Sequence, residues 1–243
     1  MPGPEELAAS LTDLGGFFAW GAPTDGMAPL VQELQEPALP RRFDAVRAAL
    51  GRAGGVPTEQ VDPRMAVSAV QAGLVSRLWS VALGAACLHQ WVPDLRATFL
   101  RCGTGARNPV PLATTDPARG CPVTTPDGAA TAISALVLRG AVTEVTEACA
   151  RVGATSRQVL RSNAASALVG AAGTLARSRP EVAGLADAIA RTVLTDEHLA
   201  TGGGYGDDGS FRRRGCCLYY RLPGHGLCPD CVLVGRARPG TAP

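Results

Sequence analysis

Lysine is missing from this chain of 243 residues: its 23 residues of the Lys and Arg class are all arginine. That excludes a phosphate loop of the G-x-x-x-x-G-K-[ST] kind, whose lysine reaches the β- and γ-phosphates. The glycine-rich run Thr201–Gly209 is therefore not one. No G-x-G-x-x-G stands between a strand and a helix, so no nicotinamide or flavin site is expected. An excess of charge of one sign is missing as well. A formal net charge of +2 argues against nucleic acid as a partner, because nucleic-acid-binding domains are strongly basic. The opening MPGPEELAAS has no basic stretch leading into an apolar one, which makes a secretory signal unexpected. The longest apolar segment, Met65–Leu88, is interrupted by Gln71, Arg77 and several serines. It reads as a buried helix, and no membrane span is expected. No internal repeat is visible.

The chain does have enough apolar residues, 46%, to bury a sizeable core. It also has eight cysteines. Without a secretion signal these imply a reducing compartment, where thiols bind metals more often than they form structural disulfides. The cytoplasm is the expected location. The fold class expected is mainly α: a helical domain with a small β or irregular insertion and a C-terminal segment carrying four cysteines. The boundaries read as an N-terminal helical segment (1–58), a helical core (59–204) and the cysteine segment (205–243).

Apolar spacing places the helices. One is expected over Arg41–Leu50 and a long one from Pro63 to about Gln90, with Val67, Val70, Leu74, Leu78 and Val81 at helical intervals. Between Trp91 and Pro126 the chain is rich in Pro, Gly and Thr. Its short runs ATFL and VPLAT read either as a small hairpin or as loop. A stripe from Ile133 to Val152 stops at Gly153. Thr155 and Gln158 then have the spacing of a capping box that opens another helix, and Pro180 suits the first turn of the next. Gly202–Gly206 ends the helical body, and the last residues (RARPGTAP) read as a frayed tail.

Cys216, Cys217, Cys228 and Cys231 are spaced C-C-x10-C-x2-C. Four thiols in one short Gly- and Pro-punctuated segment can converge on a single soft metal centre, either an iron–sulfur cluster or a zinc. Cys228 and Cys231 form a C-x-x-C pair across a turn that Pro229 pre-sets. Adjacent Cys216 and Cys217 would point to opposite faces of an extended strand. Both can be ligands only if the backbone bends there, which Gly215 can permit. Zinc ribbons favour two C-x-x-C knuckles, whereas a two-iron core offers two metals side by side. Spacing alone leaves both metals open.

The stretch RRRGCCLYYRLPGHGLCPDCVL (Arg212–Leu233) resembles the C-terminal signature of the FhuF-type ferric siderophore reductases. Upstream, VLRSNAASALVGA (Val159–Ala171) resembles the family's helix built around an asparagine, here Asn163. The segment Gln71–Leu88 resembles its long helix. The resemblance implies a [2Fe–2S] cluster held by Cys216, Cys217, Cys228 and Cys231. It further implies a ferric siderophore as substrate, of the hydroxamate type, from which Fe(II) is released. With no nicotinamide or flavin motif, the electron must come from another protein such as a ferredoxin. One departure is Pro229, where the family's C-G-D-C version has glycine; proline removes an N–H that can otherwise reach a cluster sulfur. Arg212, Arg213, Arg214 and Arg221 can raise the cluster's potential and dock an acidic donor or an anionic part of the substrate. The plainer reading of the same residues is a solvated face. Two further functions compatible with four cysteines are a non-catalytic siderophore- or protein-binding module around a structural zinc, and an iron–sulfur redox sensor. The sensor lacks a basic recognition helix.

The other candidates read as structural. Cys87 and His89 lie two apart on a helix and cannot share a face. Cys102, Cys121 and Cys149 are isolated small apolar residues, with Cys121 the one expected to be exposed and oxidisable. His198 reads as a solvated residue near a helix end and His225 as a surface loop histidine. Trp79 and Trp91 belong to the core, and Tyr219 and Tyr220 either line a substrate face or shield the cysteines from water.

Overall fold

A computed structural model of the chain describes residues 3–234; the tail RARPGTAP lies outside the described residues. The elements, in order, are α1 (Pro4–Thr12), β1 (Met27–Pro29), α2 (Leu30–Glu33), α3 (Ala38–Gly54), α4 (Pro63–His89), β2 (Trp91–Pro93), β3 (Leu100–Gly103), β4 (Leu112–Thr114) and β5 (Gly120–Pro122). Then follow α5 (Pro126–Ile133), a π-helical stretch (Ser134–Val142), α6 (Thr143–Val152), α7 (Arg157–Ser178), α8 (Ala183–Leu194), β6 (Gly203–Tyr205) and β7 (Phe211–Arg213). The fold is mainly helical, and its strands are all three or four residues long.

Helix α4 runs through the centre. Pro63 opens it, where a missing N–H is harmless, and the Asp62 carboxylate accepts from the Arg64 N–H at 3.0 Å to cap it. Its middle is buried on every side, including Trp79, Val81, Ala82 and Leu83, so its apolar residues form no single stripe. By length and composition α4 is apolar enough to cross a membrane, as is the continuous Pro126–Val152 unit. In α4, 78% of the most apolar window is buried within the fold, chiefly against α7 and α3.

Two polar residues inside α4 hold other elements to it. Gln71 donates to the Thr146 hydroxyl and the Leu160 carbonyl, both at 3.1 Å, tying α4 to α6 and α7. Arg77 donates to the Val110 carbonyl at 2.8 Å and to the carbonyls of Phe17 and Ala19. Burial pulls its pKa down to about 10, which leaves it charged at neutral pH. It pins both the N-terminal segment and the β insertion to the central helix. Leu7, Leu11, Phe18 and Leu39 accordingly share one core with α4, α7 and α8.

The runs ATFL and VPLAT do lead into a hairpin: β3 pairs antiparallel with β4, with Leu100 opposite Thr114. What spacing did not suggest is that β1, from the N-terminal segment, adds a third strand to it. A separate ladder pairs β2 with β5. The stripe ending at Gly153 is one helical unit, α5 through α6. It is widened into a π-helix in the middle, where Gly140 leaves helical geometry (φ −95°, ψ −122°). A Cβ at Gly140 would meet the Arg96 side chain at 2.9 Å, so this bulge makes room for that arginine.

The expected capping box does not form. Ser156 is the N-cap of α7, and the Thr155 hydroxyl donates to the Gly153 carbonyl at 3.0 Å. Gln158 instead reaches Thr201, where its amide donates to the carbonyl at 2.6 Å. The tertiary contact outcompetes the local one because Gln158 faces the returning C-terminal chain. The Gly202–Gly206 stretch, read as a break, contributes a strand: β6 pairs with β7 as a hairpin.

Replacing Arg77 with alanine strands three carbonyls at once. We expect Arg77→Ala to lower stability by on the order of 3 kcal/mol, visible as a lower urea midpoint with an unchanged slope.

Candidate metal centre

The hairpin β6–β7 delivers the chain to the cysteines. Gly202 sits against α7 so closely that a Cβ would meet the Arg161 carbonyl oxygen at 2.6 Å. Its own carbonyl accepts from the Arg214 N–H at 2.9 Å. Gly215 repeats the close approach: a Cβ there would lie 2.9 Å from the Ser162 hydroxyl and 3.0 Å from the Val159 Cα. Its glycine is needed for contact with α7. The bend that reorients the cysteine pair comes later, at Leu218, a non-glycine residue in the left-handed region (φ 69°).

Beyond that bend a single 3-10 turn, Tyr219–Arg221, carries Leu222 onto α3. A Cβ on Gly54 would lie 2.6 Å from Leu222 Cδ1, so leucine fills the notch that glycine leaves. Leu222, Val61 and Met65 make a small second core, with Leu218 and Tyr219 packed on it. Arg221 adds an ion pair at 3.0 Å to Asp62, the cap of α4. The beginning of α4 thus anchors the middle of the cysteine segment.

The C-x-x-C pair closes a four-residue turn in which the Cys231 N–H donates to the Cys228 carbonyl at 3.0 Å. Pro229 occupies the second position, where its fixed φ suits the turn. Asp230 follows, and its carbonyl accepts from the Arg213 N–H at 3.0 Å. This brings the two halves of the motif together.

The four thiols stand as two pairs. Cys217 and Cys228 lie 3.6 Å apart, sulfur to sulfur. Cys216 faces Cys231; burial first, then the neighbouring Cys217 and Cys231 thiols, push its pKa up against the opposing Leu218 N–H. Two thiolates on one tetrahedral metal at about 2.3 Å stand about 3.8 Å apart, so the first pair already has the spacing of shared ligands. Among the described residues no three Cys, His, Asp or Glu side chains gather round one point; the arrangement is two and two. The paired sulfurs also receive backbone donors in the same i+2 pattern. The Leu218 N–H reaches Cys216 Sγ at 3.4 Å and the Leu233 N–H reaches Cys231 Sγ at 3.5 Å.

Arg213 sets the electrostatics. It is buried, 9% exposed, and donates to the Asp230 carboxylate at 3.2 Å, to Asn163 Oδ1 at 3.2 Å and to the Ser166 hydroxyl. Asn163 in turn donates to the Ser68 hydroxyl at 2.8 Å, so a polar chain runs from α4 through α7 to the cysteine loop. The Cys217 pKa falls to about 6, mainly because Cys228 donates to it, helped by the Tyr219 N–H and the Arg213 charge. Cys228, as the donor of that shared proton, is pushed up.

This corrects one expectation. Of the four arginines read as a docking patch, Arg213 faces inward, buried against Asp230, Asn163 and Ser166, so it is not part of a surface patch. Arg212, Arg214 and Arg221 are exposed. Arg214 donates to the Ala200 carbonyl at 3.1 Å, and Arg221 is held by Asp62. His225 is exposed and packs edge-on against the Tyr219 ring, 6.0 Å between centroids.

The remaining candidates lie apart from this site. Cys87 is buried with its pKa pushed up to about 12, while His89 bonds the Ser10 hydroxyl at 2.9 Å. Cys102 and Cys149 are buried in the main core. Cys121, expected in an exposed loop, is half-buried in β5. His198 is not merely solvated: its ring pairs with Asp196 at 2.9 Å, and Asp196 is also held by Arg139 at 3.0 Å. Trp79 is fully buried and donates to the Ala164 carbonyl at 3.0 Å, whereas Trp91 is half-buried on the edge strand β2.

The close approach at Gly215 is open to test. Gly215→Ala forces the loop off α7 and should lower stability by about 1–3 kcal/mol, with faster proteolysis after residue 215. Gly226→Ala, where an added Cβ meets nothing within 4 Å, should be silent in both assays.

Among curated proteins none matches the chain in a sequence search. Residues 213–233 match the family model described as the FhuF 2Fe-2S C-terminal domain. The match spans Arg213, all four cysteines of the site and the Pro229 turn. Four thiols in this segment, two of them with the separation of shared ligands, are a donor set that fits a two-iron core. The C-terminal segment of this chain is thus of the FhuF 2Fe–2S type, and its cofactor is a [2Fe–2S] cluster.

Proposed function

We propose that the protein is a ferric siderophore reductase that passes one electron to iron chelated by a hydroxamate siderophore and so releases Fe(II). The observation that carries this reading is the pairing of four thiols within a segment of the FhuF 2Fe–2S type. Cys216 with Cys231, and Cys217 with Cys228, are the residues that would hold the cluster. When bound, a [2Fe–2S] cluster supplies single electrons at a potential set by charge, burial and hydrogen bonds to its sulfurs.

The substrate chemistry asks for nothing more. Hydroxamate oxygens are hard and anionic and hold Fe(III) firmly. Fe(II) is larger and less charged, so the same ligands hold it weakly and exchange faster. No proton has to be placed. A centre about 120 mV above its ferric substrate would face a roughly hundredfold uphill step, at about 59 mV per decade, which capture of Fe(II) by another chelator offsets.

The chain's own residues tune and protect this step. The buried Arg213 puts a fixed positive charge beside Cys217 and Cys228 and so favours the reduced, more negative state. The Leu218 and Leu233 N–H groups do the same at Cys216 and Cys231. Tyr219 and Leu222 keep water from one side. Arg212, Arg214 and Arg221 remain on the surface as a basic patch for an acidic electron donor such as a ferredoxin. A cytoplasmic site of action fits cysteines that must stay reduced until they are metallated.

Two variants test this. Cys228→Ser should abolish the visible absorption of the oxidised protein and the EPR signal of the reduced one, along with single-turnover reduction of a ferric trihydroxamate. Unchanged spectra would remove Cys228 from the ligand set. Arg213→Gln should keep the cluster and lower its potential by on the order of 60 mV, a factor of about ten in the one-electron equilibrium. Spectroelectrochemical titration reads this directly.

A further inference from the structure

A cavity of about 810 Å³ lies beside Asp94, Arg96 and Arg119, and no residue of the cysteine segment lines it. A smaller cavity of about 240 Å³ opens between α3 and α4 and does reach that segment. Ala49 and Ala53 of α3 and Ala69 and Gly73 of α4 line it, and Tyr219 forms part of its wall. Tyr219 also belongs to the surroundings of the thiols. It stands two residues from Cys217 and packs on the small core around Leu222.

The charge around the cavity is one-sided. No carboxylate lines it; Arg42, Arg107 and Asn108 do. Arg42 is already neutralised by Glu33 at 2.6 Å and donates to the Gly103 carbonyl at 2.6 Å. Arg107 and Asn108 are exposed at the rim. The result is a small apolar slot with a cation and an amide at its edge and, in its wall, the Tyr219 side chain, two residues along the chain from Cys217.

We propose that this slot is the substrate subsite: it takes an apolar arm of a ferric hydroxamate chelate, with Arg107 and Asn108 meeting the chelate's oxygen groups at the rim and the chelated iron held on the Tyr219 side. The inference rests on the reductase reading above. Ligand pockets run roughly 300–1,000 Å³, so the slot is too small for a whole chelate and fits an alkyl spacer, leaving the iron outside it. The step it serves moves one electron from the reduced centre to Fe(III), giving Fe(II). No bond is made or broken in the transfer, and an external one-electron protein donor restores the centre.

Filling the slot tests the assignment. A Cβ on Gly73 would meet Asn108 Oδ1 at 3.7 Å and Val110 Cγ2 at 3.8 Å, ordinary contacts, so Gly73→Leu is accommodated and its remaining atoms enter the cavity. Ala69→Leu fills it from one turn earlier. The probe is the Ga(III) complex of a linear trihydroxamate, which has the shape and charge of the ferric complex but accepts no electron. Calorimetry of the cluster-loaded protein should show binding to the wild type and at least about tenfold weaker binding to both variants. Their reduced EPR spectra and potentials should stay those of the wild type, and KM for the ferric chelate should rise by a similar factor. Equal Ga(III) affinities in variants with intact spectra would overturn the assignment, as would a wild type that does not bind the Ga(III) chelate. A wild type that binds the Ga(III) chelate yet cannot reduce the ferric one would bring down the reductase reading and leave the slot standing.

Discussion

The guanidinium of Arg213 ties the redox segment to the helical body. It is buried, and a buried charge is tolerated only when it is paired and its donors are used. Asp230 supplies the countercharge, Asn163 and Ser166 take further donors, and Asn163 leans on Ser68 of the central helix. The same arginine fixes Asp230 through its backbone N–H, which sets the C-x-x-C turn opposite the adjacent cysteine pair. Local charge and attachment to the fold therefore depend on this side chain, and the placement of the C-x-x-C turn on its backbone N–H. Breaking this pair would leave an uncompensated charge next to two thiols, which is a larger penalty than losing a surface bridge.

The helical body contributes the rigid frame against which the cysteine segment is held. Its other cysteines are buried or isolated, its histidines are bound to Ser10 and Asp196 or exposed, and its central helix is wrapped by its neighbours. Three glycines, Gly54, Gly202 and Gly215, mark where the tail segment lies against that body. At each an added Cβ would collide with backbone or a packed side chain. A redox loop of about twenty residues with little core of its own is held in shape by these contacts and by the small cluster around Leu222.

Much of this was legible from residue order. Helical spacing marked α4 and the unit ending at Gly153, because those segments bury apolar residues continuously. The motif C-C-x10-C-x2-C marked the site, because thiols packed so densely along a chain can converge on one soft metal centre. The capping box at Thr155 and Gln158 misled, since a glutamine that can cap can equally reach a distant carbonyl, and here it does. Strand β1 was invisible because a three-residue strand has no period to read; it exists only through its partner β3. The arginine run gave no hint that its middle member turns inward. Alternation along β7 could have suggested it: Phe211 and Arg213 share the buried face of that strand, and Arg212 the exposed one. Tyr219 was marked by its place beside the cysteines, but the slot between α3 and α4 required the fold, as its members come from four separate stretches of chain.

The central claim is that Cys216, Cys217, Cys228 and Cys231 would together hold a two-iron, two-sulfide cluster. Assays for iron and acid-labile sulfide on anaerobically purified protein address it most directly. The account predicts about two irons and two sulfides per chain, with a rhombic EPR signal appearing on one-electron reduction. A colourless protein containing one zinc and no sulfide would contradict it.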